Sequence, residues 1–190
     1  MISPVRILYA AVGATLPADT VAAGGAWPAG WTELGWQEEP FKLTYEFDVK
    51  DLGIQQSLAP VARQRINEKL TGEGKLAEFD MAQLALAWGG TLSQTAAGTG
   101  QPAKDEVAFG DTPALTARAW GFEGNYVSAA GNVHPIRVFV WRATATAGGE
   151  AIFGKEDALG VTLKIAALAD MSKSAGQRLF KYQKITGPAT

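Results

Sequence analysis

Residues 65–90, Arg65-Ile66-Asn67-Glu68-Lys69-Leu70-Thr71-Gly72-Glu73-Gly74-Lys75-Leu76-Ala77-Glu78-Phe79-Asp80-Met81-Ala82-Gln83-Leu84-Ala85-Leu86-Ala87-Trp88-Gly89-Gly90, read as a long half-polar strand running directly into a short capped helix. Ile66, Leu70, Gly72, Gly74 and Leu76 share one parity, broken by Glu68, while Asn67, Lys69, Thr71, Glu73 and Lys75 share the other. Such a strand packs on one side and meets water on the other. Asp80 is placed to cap the helix, with Gln83 three residues on as a capping box requires. Met81, Leu84, Ala85 and Trp88 form a stripe at helical spacing, and Gly89 ends it. The spacing therefore predicts a helix over 81–88 that covers a sheet.

Upstream, Phe41-Lys42-Leu43-Thr44-Tyr45-Glu46-Phe47-Asp48-Val49-Lys50 alternates without a fault and predicts a second long amphipathic strand. Residues 10–37 are punctuated by Pro17, Gly24-Gly25, Pro28, Gly30 and Gly35, which predicts an irregular arm, and Trp27, Trp31 and Trp36 need somewhere to bury their rings. From 89 to 113 the chain is rich in Gly, Thr, Ala and Asp, which predicts a long loop. Further strands are expected over 115–122, 136–142, 143–146, 151–153, 160–168 and 177–185, with a Gly148-Gly149 turn between the middle two. The expected architecture is mainly β: an antiparallel sandwich or barrel with one flanking helix, a long loop and an extended N-terminal arm. The whole chain, 1–190, is expected to form one domain: arm and lead-in over 1–37, β core over 38–170, and C-terminal tail over 171–190.

Composition excludes several functions. At 190 residues and 47% hydrophobic the chain can bury a real core, and its formal net charge of -2 leaves no basic field for gripping nucleic acid. The absence of cysteine removes disulfides, thiolate metal sites and thiol nucleophiles together. Lone His134 precedes a proline at a turn and lacks metal-binding companions, so no cofactor or metal is expected. The apolar run 7–14 is too short to cross a bilayer, and no membrane association or leader is expected. Glu38-Glu39, Glu46 with Asp48, and Lys155-Glu156-Asp157 are paired charges on wet surfaces, not a catalytic centre, and no nucleophile elbow or phosphate loop is present, so no enzyme is expected.

Charge is also uneven along the chain. Six acids lie between Glu33 and Asp51 against Lys42 and Lys50, whereas Lys173, Arg178, Lys181 and Lys184 follow Met171 without an acid. Opposite signs at opposite ends are found on ordinary solvated surfaces, and also on termini that meet across subunits.

Several separated segments together resemble the major tail tube proteins of long, non-contractile-tailed bacteriophages. They are Gly13-Ala14-Thr15-Leu16-Pro17-Ala18-Asp19-Thr20, Gly30-Trp31-Thr32-Glu33-Leu34-Gly35, the Leu76-Ala77-Glu78-Phe79 junction with its Ala/Leu-rich helix, Phe153-Gly154-Lys155-Glu156-Asp157, and Leu168-Ala169-Asp170 before Leu179-Phe180. The resemblance implies a structural virion protein whose hexameric rings stack into a hollow tail tube, the conduit for double-stranded DNA. It implies partners in other copies of the chain and in tape measure, tail tip and tail terminator proteins, and a location in the virion after assembly in the host cytoplasm. The additional immunoglobulin-like domain of some members is not expected here.

On that basis the lumen is expected to be lined by Lys42, Thr44, Glu46, Asp48 and Lys50 with Asn67, Lys69, Thr71, Glu73 and Lys75. Contacts between subunits or rings are expected from Trp27, Trp31, Phe109, Arg178, Lys181 and Lys184. A monomeric β-sandwich carbohydrate-binding module using exposed tryptophans is the alternative.

Overall fold

In the computed structural model, residues 5–53, 59–77, 80–110, 115–146 and 161–187 are described. Ten strands and one helix are found among them: β1 (Arg6–Ala11), β2 (Thr32–Glu33), β3 (Lys42–Leu52), β4 (Ala62–Leu76), α1 (Met81–Trp88), β5 (Thr91–Thr95), β6 (Lys104–Ala108), β7 (Ala117–Val127), β8 (Val133–Ala145), β9 (Val161–Ala167) and β10 (Phe180–Lys184). The fold is mainly β, with every strand pair antiparallel.

The main sheet runs β2-β1-β7-β8-β9-β4-β3, and β10 also pairs with β8. β8 is long enough to serve two neighbours along one edge, Ile136 to Val140 pairing with β10 and Ala143 to Ala145 with β9. The β9-β4-β3 half therefore folds over the β1-β7-β8-β10 half. Phe41 meets Phe122 at 5.0 Å and Tyr45 meets Phe180 at 5.3 Å across the gap. The segment between β2 and β3 links the two halves on the far side: Leu34 donates to Ile7 O, and Ala77 and Glu38 donate to Trp36 O and Lys75 O. The core enclosed between them includes Ile7, Leu34, Leu70, Leu76, Trp120, Phe122, Val140, Leu163 and Ile165.

Three features depart from the sequence reading. β1 joins the main sheet between β2 and β7 with Ile7 fully buried, so the irregular lead-in starts after Ala11 and the β core does not begin at residue 38. Val133–Ala145 form one continuous strand, with a β-bulge against β7 at Trp141 and the exposed Arg142 where the sequence reading divided it in two. The expected long loop holds a hairpin, β5 with β6, whose mostly polar strands pair Leu92 with Val107. Too few apolar positions alternate there for the pattern to show in the sequence. The expected elements at 148–153 and Phe153–Asp157 lie outside the described residues.

The helix ends follow the sequence reading. Asp80 accepts from Ala82 N at 3.2 Å, and Gly89 adopts φ 73, the left-handed conformation that glycine enters without penalty. The helix body is rotated from the expected stripe: Gln83, Leu84 and Ala87 are buried, while Met81, Ala85 and Trp88 are half-buried. Gln83 does not complete a capping box. Its amide donates 2.6 Å to Leu34 O, satisfying a buried carbonyl of the linking segment. The helix lies against β9, β8 and the β5–β6 hairpin, not on the outer side of β3.

Candidate functional site: a polar strand face and a projecting hairpin

β3 and β4 pair with their polar parities in register. Lys42 opposes Glu73, Thr44 opposes Thr71 and Glu46 opposes Lys69. The other parity of this half, Leu43 and Leu70 with Gly72, turns to the core, and Gly72 and Gly74 leave room for the Phe41 ring. β9 extends the polar face: Lys164 opposes Glu73 and its Nζ lies 2.7 Å from the carboxylate. Lys164 was missed in the sequence, although Val161-Thr162-Leu163-Lys164-Ile165 alternates and marks it as the wet member. Lys75 joins the edge of this surface through a 2.9 Å ion pair with Glu38.

The structure thus brings Lys42, Thr44, Glu46, Lys69, Thr71 and Glu73 together, with Lys75 at the rim. Asp48, Lys50 and Asn67 lie farther out, and there the parity argument changes. Between Glu46/Lys69 and Asp48/Ile66, β4 carries one extra residue, a β-bulge at which Asn67 takes φ 52. Asn67 Nδ2 donates 3.0 Å to Asp48 Oδ2 and holds the bulge closed.

Beyond the bulge the two faces of β4 exchange. Ile66, expected to pack, opposes Asp48, while Arg65 and Arg63 oppose Val49 and Asp51 on the face that was apolar. Among the described residues no second layer covers this outer half. Tyr45, Phe47, Val49 and Leu52 are exposed, the Arg65 guanidinium lies 4.2 Å from the centre of the Phe47 ring, and Arg63 pairs with Asp51 at 2.8 Å. The β3–β4 hairpin therefore projects from the body with one aromatic and cationic face.

The expected contact residues divide. Trp27 packs edge-on against Trp31 at 4.8 Å and against Phe139 at 5.6 Å, and it covers Gly121 so closely that no Cβ would fit. Trp31 Nε1 donates to Thr15 O. Both half-buried rings thus place part of their apolar surface against the chain itself. Arg178 donates to Lys173 O, and Lys184 lies over the Tyr126 ring, so each secures the tail to the body. Phe109 lies 5.7 Å from Trp88 but stays half-exposed, and Lys181 points to solvent on β10.

The residue most open to a partner is one the sequence reading did not single out among contacts. Trp36 is 72% exposed, beside an open cavity of about 940 Å³ lined by Val5, Arg6, Glu33, Glu38, Glu39 and Phe41 among others. A signal was present: Trp36 stands in a Gly- and Glu-rich linking segment that has no periodicity to bury it. One strongly exposed indole does not make the row of rings that a carbohydrate platform needs.

Behind this cavity lies a buried charge network. Glu123, 1% exposed, accepts from Arg137 Nε at 3.0 Å and from Arg6 Nη1 at 3.1 Å. Arg6, Glu123 and Arg137 are direct partners across β1, β7 and β8. Gly24 N also donates to Glu123, and Arg137 donates to Ala18 O and Val21 O, so the network fastens the lead-in over the second face of the sheet. Its hydrogen bonds to Glu33, then the charges of Glu33 and Glu123, hold the Arg6 guanidinium above its ordinary pKa. No cluster of three or more metal-ligating side chains occurs among the described residues. No helix among them is long and apolar enough to cross a membrane.

Comparison with known proteins gives one result. A family model described as phage tail tube protein matches residues 3–183. No curated protein matches the chain.

Proposed function

Because the chain belongs to the phage tail tube protein family, a structural component of the virion tail, we propose that its copies close into hexameric rings that stack into a hollow tube for double-stranded DNA. The observation that carries this reading is the in-register polar face of β3, β4 and β9, backed by the core, at the end of the main sheet. β3 pairs only with β4 among the described residues, so its other edge offers unpaired backbone groups. An exposed edge is an aggregation hazard for a lone sheet, and lateral joining into a closed ring removes it.

In that arrangement the lumen is lined by Lys42, Thr44, Glu46, Lys69, Thr71 and Glu73, with Lys164 added from β9. Positive and negative groups alternate on this face, and Glu73 and Lys164 neutralise each other. A mixed lining suits transit, since every phosphate held by an unopposed cation adds salt-dependent affinity that slows release. Tape measure, tail tip and terminator proteins are the further partners this reading expects.

Negative-stain microscopy of the concentrated protein tests the assembly, with rings or tubes expected. A tube reconstruction that puts Thr44 and Thr71 on the outer wall sinks the lumen assignment, and featureless particles even with a tail-tip template sink the tube itself.

A further inference from the structure

We propose that the cavity beside Trp36 is a socket for the projecting β3–β4 hairpin of a second copy of this chain. The inference rests on the tube reading and specifies how one copy engages the next. Two exposed surfaces on the described residues lack a cover, and they are complementary. The socket presents the Trp36 indole and Phe41 within a rim carrying Glu39, with Glu33 paired to Arg6 and Glu38 to Lys75. The hairpin presents Phe47, 43% exposed, and Val49, 53% exposed, flanked by Arg65, which lies 3.7 Å from Glu68, and by Arg63, which is paired with Asp51. An aromatic anchor beside Glu39 fits an aromatic and aliphatic row that carries the Arg65 guanidinium over Phe47. Arginine and aromatic residues are also the types that concentrate binding energy at protein interfaces.

Position strengthens the match. The socket lies where the chain enters β3, and Phe47 and Val49 lie toward the other end of the same strand. The eleven residues of β3 span about 33 Å at the usual rise of an extended strand. A copy whose hairpin fills a socket still presents its own socket at its opposite end. Such a contact is heterologous, and it repeats without closing, as a stack of rings requires. The bulge at Asn67 is what makes the hairpin fit. Without the extra residue Arg65 and Arg63 would lie on the same face as Glu46 and Asp48, and the face bearing Phe47 would carry no cation.

The test uses the absence of cysteine from the native chain. Two single variants, Glu39→Cys at the rim and Val49→Cys on the hairpin, are mixed, assembled and treated with a short bis-maleimide. The mixture is expected to yield a cross-linked dimer at least tenfold above either variant alone. In parallel, Trp36→Ala, a change at an exposed position that leaves the core intact, is expected to raise the concentration needed for assembly about tenfold or more. Arg65→Glu is expected to weaken assembly likewise, and Glu39→Arg in the partner copy to recover part of the loss.

Tubes that form without the mixed cross-link, or cross-linking of Val49→Cys with itself as efficiently as with Glu39→Cys, overturn the socket and leave the tube reading standing. A mixed cross-link in protein that forms chains but no rings supports the socket and counts against the tube. Neither tubes nor cross-link overturns both.

Discussion

Glu123 is the residue whose environment departs most from what its type suggests. A carboxylate at 1% exposure is tolerable only because Arg137, itself fully buried, and Arg6 neutralise it while Gly24 N and the carbonyls of Ala18 and Val21 use the remaining hydrogen-bonding capacity. Glu123→Gln should leave Arg137 buried without its charge partner and destabilise the fold by about 3 kcal/mol, read as a lower denaturation midpoint. A variant as stable as the parent would show that the backbone carbonyls alone suffice. Asp170 gives a second residue-scale prediction. Ser172 donates to its Oδ1 from both Oγ, at 2.7 Å, and N, at 3.0 Å, and these bonds hold the carboxyl below the ordinary aspartate range. The stabilisation this lends the 170–173 turn is therefore complete above the unfolded pKa of an aspartate. It is lost as the pH falls through the lowered, folded value. The Ser172 amide signal should titrate below the usual carboxylate midpoint, and Ser172→Ala should move that midpoint upward.

At the scale of elements, β4 shows how one residue redirects a strand. A period of two carries its polar face faithfully from Lys75 to Lys69, and the bulge at Asn67 then exchanges the faces. Asparagine tolerates the left-handed conformation, and its amide bonds Asp48 there. Asn67→Gly should keep the bulge at little cost, whereas Asn67→Val should cost about 1–3 kcal/mol or shift the register, since a β-branched side chain resists positive φ. Loss of the nuclear Overhauser contact between Arg65 and Phe47 in the valine variant alone would report the shift. Retention of full stability by Asn67→Val would contradict it. Helix α1 shows the opposite behaviour, with local signals at both ends obeyed and the buried face chosen elsewhere. Burial of Ala87 and Gln83, in place of Met81 and Trp88, follows from where β9 and the Leu34 carbonyl lie.

Across the whole molecule, the β1-β7-β8 sheet is covered on both faces: by the core on one, and by the lead-in with Trp27 and Trp31 on the other. This accounts for the continuous burial from Ala119 to Gly124 on β7. Gly121 is the point of closest approach, where the Trp27 ring occupies the space of a side chain. Gly121→Ala should displace the indole and loosen residues 14–31, with a stability loss of about 1–3 kcal/mol and faster amide exchange across that segment. Unchanged exchange there would mean the lead-in is held by the Arg137 network alone.

The sequence by itself determined the elements whose signals are local. Alternation over 41–50 and 65–76 specified two long strands, whose inner parts keep one wet face, Asp80 and Gly89 specified both ends of a helix, and the order of short segments carried the family resemblance. Tertiary structure alone decided what depends on partners distant in the chain. Arg6–Ala11 became a buried strand because β7 supplies its ladder, and Glu123 and Arg137 became interior because the lead-in folds over them. The strands of 91–108 pair with each other, although their few apolar residues show no alternation. Ile66 and Arg65 exchanged faces at a bulge that no periodicity announces. A side chain's parity is a property of its own strand, but whether that parity is wet depends on which layer arrives to cover it.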